Sequence, residues 1–395
     1  MCPDLSYILH YIIGTQPDNA FSVVKTFGLF LVIAILVAAA MLMKELKRKE
    51  EEGLLKPVQV KTIEGAPASI FDLLSNGLLG FALAFKLVYI FSNFEEFQFD
   101  PASVILSTKG NWIAGILGAA VFAGIKYWEK KRVQLSQPKE VLMNVHPYER
   151  IGDITIMAAV FGIIGAKIFA LAEDFGTMSF EQMMDSFFSG SGMAIYGGLI
   201  TAFTVIYFYL RAKKITPIYV MDAVAPALMI AYGIGRLGCH FSGDGDWGIA
   251  NELAQPGWMA FLPDWMWAYD YPNNVIDSGG SPHVNIEGCT WRYCTKLAPA
   301  VFPTSVYEFI MASGIGGFLW AIRKKITIPG MLFAMYLFFN GFERFWIEKI
   351  RINDEYEVFG MQTTQAEFIA VMMMLLGIGS CIYLWMRRDK GVSTT

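Results

Sequence analysis

Charge is what this 395-residue chain is short of: Asp, Glu, Lys and Arg make up 17% of it, where a soluble domain carries nearer a quarter. That shortage argues against a soluble globular protein, and the net charge of −4 gives no reason to expect a nucleic-acid partner. Cysteines number five and are scattered. Cys289 and Cys294, in "GCTWRYC", are the one closely spaced pair, and a disulfide between them is expected if their loop faces an oxidising compartment. A lone CxxxxC pair without nearby histidines is a weak zinc signal. The first residues, "MCPDLSYILHYIIG", lack a basic n-region, so no cleavable signal peptide is expected. No internal repeat is evident, which weakens a transporter built from paired halves.

What is present is apolar: 55% of residues are hydrophobic and 15% aromatic. They fall in blocks of roughly 20 residues, the length that crosses a bilayer as a helix. The expected fold is an all-α polytopic membrane protein, a single integral membrane domain over 1–395. Roughly nine spans are expected, near 22–43, 70–92, 111–127, 153–172, 193–210, 217–237, 304–322, 329–347 and 365–386. Basic clusters ("KELKRKEEEG", "KYWEKKR", "RAKK", "RKK", "MRRDK") follow alternate spans. By the positive-inside rule they place the N-terminus outside and the C-terminus in the cytoplasm. The Trp-, Tyr- and Pro-rich stretch 249–302 then reads as an extracytoplasmic cap against the interface.

Ionisable residues within spans are costly and mark function. Asp222 and Arg236 lie in the sixth span, Tyr307 and Glu308 at the start of the seventh, and Glu343, Arg344, Glu348 and Arg351 at the end of the eighth. The orientation puts Arg236, Glu308, Arg344 and Glu348 in the outer half, where they can converge. Arg344 and Glu348 are also i,i+4 and can neutralise each other. In "GRLGCHFSGDGDWG", residues 235–248, glycines let the chain turn and expose N–H groups. Arg236 offers a bidentate fork for a phosphate. His240 titrates near neutrality, and Asp244 and Asp246 can orient it or act as bases. The alternatives are Asx turns at the aspartates, an interfacial histidine, or a metal on Cys239, His240, Asp244 and Asp246, the last disfavoured by crowding.

"DAVAPALMIAYGIGRLGC" with its WG-terminated turn, "GMAIYGGLIT", "PTSVYEFI" and "GFERFWIE" resemble, in order, the motifs of the prolipoprotein diacylglyceryl transferases. The resemblance covers roughly 153–248 and 303–386. It implies an enzyme of the bacterial inner membrane that moves the diacylglyceryl group of phosphatidylglycerol onto the lipobox cysteine of prolipoprotein signal peptides, releasing glycerol phosphate. Neither cofactor nor metal is implied. By resemblance Arg236 holds the phospholipid headgroup, Arg344 and Glu348 match an essential arginine and a following glutamate, and Glu308 and Gly248 match further motif positions. Tyr196-Gly197-Gly198 stands where the family commonly has His-Gly-Gly, Cys239 where an asparagine is common, and Phe27 where many members have tyrosine. Tyr196 therefore joins the catalytic candidates His240, Asp244, Asp246, Arg344 and Glu348. Gly197, Gly198, Gly248 and Glu308 join Arg236 as candidates for phospholipid binding. Two other readings stay open: a transporter or channel for a small anion, and a catalytically silent lipid-binding member.

Overall fold

Each of the nine apolar stretches forms a helix of eighteen or more residues in a computed structural model of the chain, which describes residues 1–173, 176, 178–188, 192–276, 282–353, 356–358 and 361–391. Part of the acidic 172–186 loop and of the aromatic cap (277–281) lies outside the described residues. Seven of the helices are long and apolar enough to cross a membrane, and the chain is an all-α polytopic membrane protein. The other two fall short for visible reasons. Trp112–Arg132 turns basic after Ile125, and Met331–Glu348 carries Glu343, Arg344 and Glu348.

The first long helix runs Thr26–Glu51, well beyond the expected 43. Its extension, "KELKRKEE", consists of strong helix formers, and Arg48 pairs with Glu45 and Glu52 along one face. Three small two-stranded sheets were not anticipated: Val58–Glu64 with Lys139–Val145, His283–Asn285 with Thr295–Leu297, and Tyr356–Val358 with Met361–Thr363. Cys289 and Cys294 are joined by a disulfide beside the second sheet.

The chain divides into two compact units, 1–55 with 216–395, and 56–215. In the first, the Pro217–Ser242 helix packs against Thr26–Glu51, Thr304–Ile322 and Met331–Glu348. Met229, Ala312, Leu319 and Leu332 form its dry centre. Polar layers bound that centre at either end of the Pro217–Ser242 helix. At the helix's start, the buried Asp222 accepts the N–H groups of Gly330 (2.7 Å) and Phe333 (3.0 Å), so it caps the Met331–Glu348 helix. In the same unit, buried Glu45 at the end of the first long helix holds Arg323 at 2.9 Å, whose guanidinium lies 3.6 Å from the centre of the Trp320 ring. The other polar layer is the candidate site.

The second unit contains two helical hairpins, Ile70–Ser92 with Trp112–Arg132 and Ile151–Glu173 with Ile195–Ala212. In each, a lysine near the end of the first helix caps the connection: Lys86 Nζ donates to the carbonyls of Val104 (2.8 Å) and Lys109 (2.9 Å), and Lys167 Nζ to that of Ser186 (2.9 Å). Asp72 precedes Lys86, and Asp153 precedes Lys167, by the same fourteen residues (86 − 72 and 167 − 153). Glycine faces glycine in both crossings. A Cβ on Gly80 would sit 2.4 Å from the Gly118 carbonyl, and one on Gly165 2.7 Å from that of Gly197. The two hairpins thus share a lysine-capped connection and a close glycine crossing.

Candidate functional site

Glu308, fully buried one turn into the Thr304–Ile322 helix, gathers three guanidiniums from two other segments. Arg236 Nε lies 2.9 Å from its Oε2, Arg351 Nη1 3.3 Å and Arg344 Nη1 3.5 Å from its Oε1. Asp246 bridges two of them, with one oxygen on Arg236 and the other on Arg351. Arg344 also holds Glu348 at 3.0 Å, and Glu348 accepts from Thr364 Oγ1 (2.7 Å) and Asn353 Nδ2 (2.5 Å). Arg236 further stacks on Tyr232, 4.9 Å from ring centre to guanidinium. The three arginines keep a little exposure, 13 to 21% of their side chains, while Glu308 has none. The carboxylate at the centre of the cluster is thus sealed, while the guanidiniums around it keep some exposure.

Local chain geometry places these groups. The Pro217–Ser242 helix ends at Gly243 in the left-handed region (φ 65°), which turns Asp244 and Asp246 back toward Arg236. Gly248 then threads between two segments: its N–H donates to the Phe302 carbonyl (2.9 Å), and Ile249 N–H to that of Ile350 (2.9 Å). A Cβ there would lie 2.4 Å from the Ile350 oxygen. Only glycine fits, and the crossing holds Arg351 beside Asp246. Thr304 Oγ1 donates to the Asp246 carbonyl at 3.0 Å and ties the turn to the Glu308 helix.

His240, one turn beyond Arg236, faces away from the carboxylates into an aromatic enclosure. Trp265, Tyr269 and Tyr271 from the cap surround its ring at 5.4–5.7 Å between centres. The Tyr271 hydroxyl lies between His240 Nδ1 (3.2 Å) and Ser305 Oγ (3.3 Å), and burial raises the Tyr271 phenol so that it stays neutral. Burial likewise pushes the Asp244 carboxyl up, against a hydrogen bond from Cys239 that lowers it. Cys239, Asp244 and Asp246 bring possible ligand atoms within 4.8 Å of one another. Both Asp246 oxygens already face guanidiniums, so this trio suits arginine better than a metal ion.

Residues 115–383 match the family profile of prolipoprotein diacylglyceryl transferase. The chain belongs to that family. It is similar to the phosphatidylglycerol–prolipoprotein diacylglyceryl transferase of Corynebacterium efficiens, 30% identical over 240 residues that cover 58% of this chain and 69% of that protein. The enzymes of the same name from Streptococcus sanguinis (29% over 238 residues, 58% and 78%) and Lysinibacillus sphaericus (25% over 249 residues, 62% and 80%) are comparably similar. This membrane-embedded chain is therefore a transferase.

Within the transferase, Arg236, Asp246, Glu308, Arg344 and Glu348 meet in one cluster, with Asp244 beside it on the same turn. Tyr196, Gly197 and Gly198 belong to the other compact unit. There the two glycines are buried against the Ile151–Glu173 helix: a Cβ on Gly197 would lie 2.3 Å from Phe169 Cβ, and one on Gly198 2.7 Å from the Gly162 carbonyl. Close packing accounts for both. Sequence reasoning left Arg351 out of the site, because it lies past the end of the Met331–Glu348 helix and is brought to Asp246 by its pairing with Gly248. It also took Asp222 as a functional candidate, whereas that carboxylate caps a helix.

Proposed function

We propose that this transferase moves the diacylglyceryl group of phosphatidylglycerol onto the lipobox cysteine thiol of a prolipoprotein signal peptide, releasing glycerol phosphate. The reaction takes place at the outer face of the bacterial cytoplasmic membrane, with the N-terminus outside and the C-terminus in the cytoplasm. The observation that carries this reading is the meeting of Arg236, Arg344 and Arg351 on one buried glutamate, each guanidinium keeping some exposure. A lipid phosphodiester entering there replaces carboxylate oxygens with its own, exchanging one anion for another at a set of planar donors.

The thiol attacks the glyceryl carbon that bears the phosphate ester. Its sulfur bonds to that carbon as the carbon–oxygen bond breaks, and the electron pair leaves on glycerol phosphate. With the phosphate seated on them, the guanidiniums meet the oxygens where that charge accumulates, and a preorganised donor of this kind contributes on the order of 3 kcal/mol to lowering the barrier. A thiol is a useful nucleophile only as thiolate, so the site must also accept a proton. The acyl chains stay among the helices while the phosphate meets the guanidiniums, which explains an arginine cluster at the end of apolar spans.

Purified protein in detergent, given phosphatidylglycerol and a lipobox peptide, is expected to release glycerol phosphate. Arg236→Ala and Arg344→Ala should each lower that release by at least about a hundredfold. Normal turnover by either variant defeats the reading.

A further inference from the structure

We infer that Glu343 is the proton acceptor for the attacking thiol, an inference that rests on the reaction proposed above. Glu343 is fully buried, and neither carboxyl oxygen has a hydrogen-bond partner among the described residues. Buried polar groups are almost always paired, because an unpaired one forfeits its hydration. The neighbouring carboxylates obey that rule: Asp246 has two arginines, Glu308 three, and Glu348 an arginine, a threonine and an asparagine. Glu343 alone among them is left with both oxygens open, so its partner is something that visits the site.

Its position says what that visitor does. Glu343 follows Asn340 by three residues on one helix face, and the Asn340 amide reaches Met229 Sδ (3.5 Å) in the dry centre. Glu343 thus lies between the apolar centre and the arginine layer. The charged and titratable groups acting on it are Glu308, Arg236, Arg344, Arg351 and Tyr232. Displacement at carbon needs the nucleophile opposite the leaving oxygen. With the phosphate on the arginines, the opposite side is the apolar side, where Glu343 waits. The thiol proton passes to a Glu343 oxygen, sulfur bonds to carbon, and the carbon–oxygen bond breaks toward phosphate. The proton then leaves with the departing glycerol phosphate or through water.

Glu343→Gln keeps the shape and cannot take the proton. With phosphatidylglycerol and lipobox peptide, its kcat should fall about a hundredfold or more, while KM for the lipid stays within about twofold. The acid limb of the kcat–pH profile should vanish. A peptide with selenocysteine for cysteine, ionised at neutral pH without a base, should restore most of the rate. His240→Gln and Asp244→Asn should retain the acid limb. The inference is overturned if Glu343→Gln keeps the wild-type rate and profile, if the selenol peptide gives no recovery, or if His240→Gln or Asp244→Asn loses the limb instead. Absence of glycerol phosphate release by the wild-type protein sinks the underlying reaction, whereas an indifferent Glu343→Gln in an active enzyme sinks this inference alone.

Discussion

Asp222 and Arg236 look alike in the sequence, each a charge inside the same apolar span, yet the first caps a helix and the second joins the arginine cluster. Intramembrane charge is legible from composition; its partner is not, because the partner comes from another helix. The convergence of Arg236, Glu308, Arg344 and Glu348 was readable because positive-inside orientation put all four at one end. His240 was not, because the aromatic enclosure around it is built by the cap. Asp244 carries a pH consequence. Burial raises its carboxyl, so the folded chain holds that proton more tightly than the unfolded chain does. The stabilisation is complete below the ordinary carboxylate pKa and is lost as pH rises through the raised folded value. Asp244→Asn has no such proton, so its melting temperature relative to wild type should climb as pH rises above the ordinary carboxylate range. A constant difference above that range would mean the carboxyl titrates normally.

At the scale of elements, the long helices were legible from hydropathy, but their ends were not. The Thr26–Glu51 helix outruns its apolar stretch because Arg48 is paired along its face and Glu45 with Arg323. The Val58–Glu64 strand was missed because its partner, Lys139–Val145, lies far along the chain. The start of the Met331–Glu348 helix makes the corresponding prediction. Its Gly330 and Phe333 N–H groups depend on a carboxylate supplied by another helix, and no side chain at its own N-cap substitutes. Asp222→Ala leaves both unpaired in an apolar setting and should destabilise the protein by about 1–2 kcal/mol, read as a lowered melting temperature. Glycerol phosphate release per folded molecule should change little, because Asp222 and Arg236 are fourteen residues apart on one helix, roughly 21 Å. A variant that folds normally but loses turnover would return Asp222 to the functional residues.

For the whole molecule, the first hairpin is the part whose removal can be tested. The arginine cluster lies entirely in the unit formed by 1–55 and 216–395. The family match begins at residue 115, so the Val58–Glu64 strand and the Ile70–Ser92 helix fall outside it, while nearly all of the Trp112–Arg132 helix and the Lys139–Val145 strand fall within it. That first hairpin leaves and rejoins the chain through a ribbon in which Val58 pairs directly with Val145. Opposed residues in an antiparallel pair have Cα atoms about 4.5–5.5 Å apart, little more than the 3.8 Å of one peptide bond. Excising 59–144 and joining Val58 to Val145 therefore asks for a small adjustment. The shortened protein should insert in membranes, complement a transferase-depleted cell and release glycerol phosphate within a few-fold of the full chain. The second hairpin keeps Lys167 capping its connection and Gly165 facing Gly197, and these contacts owe nothing to the excised segment. A shortened protein that folds but fails in both assays would assign the first hairpin a part in catalysis or in substrate delivery.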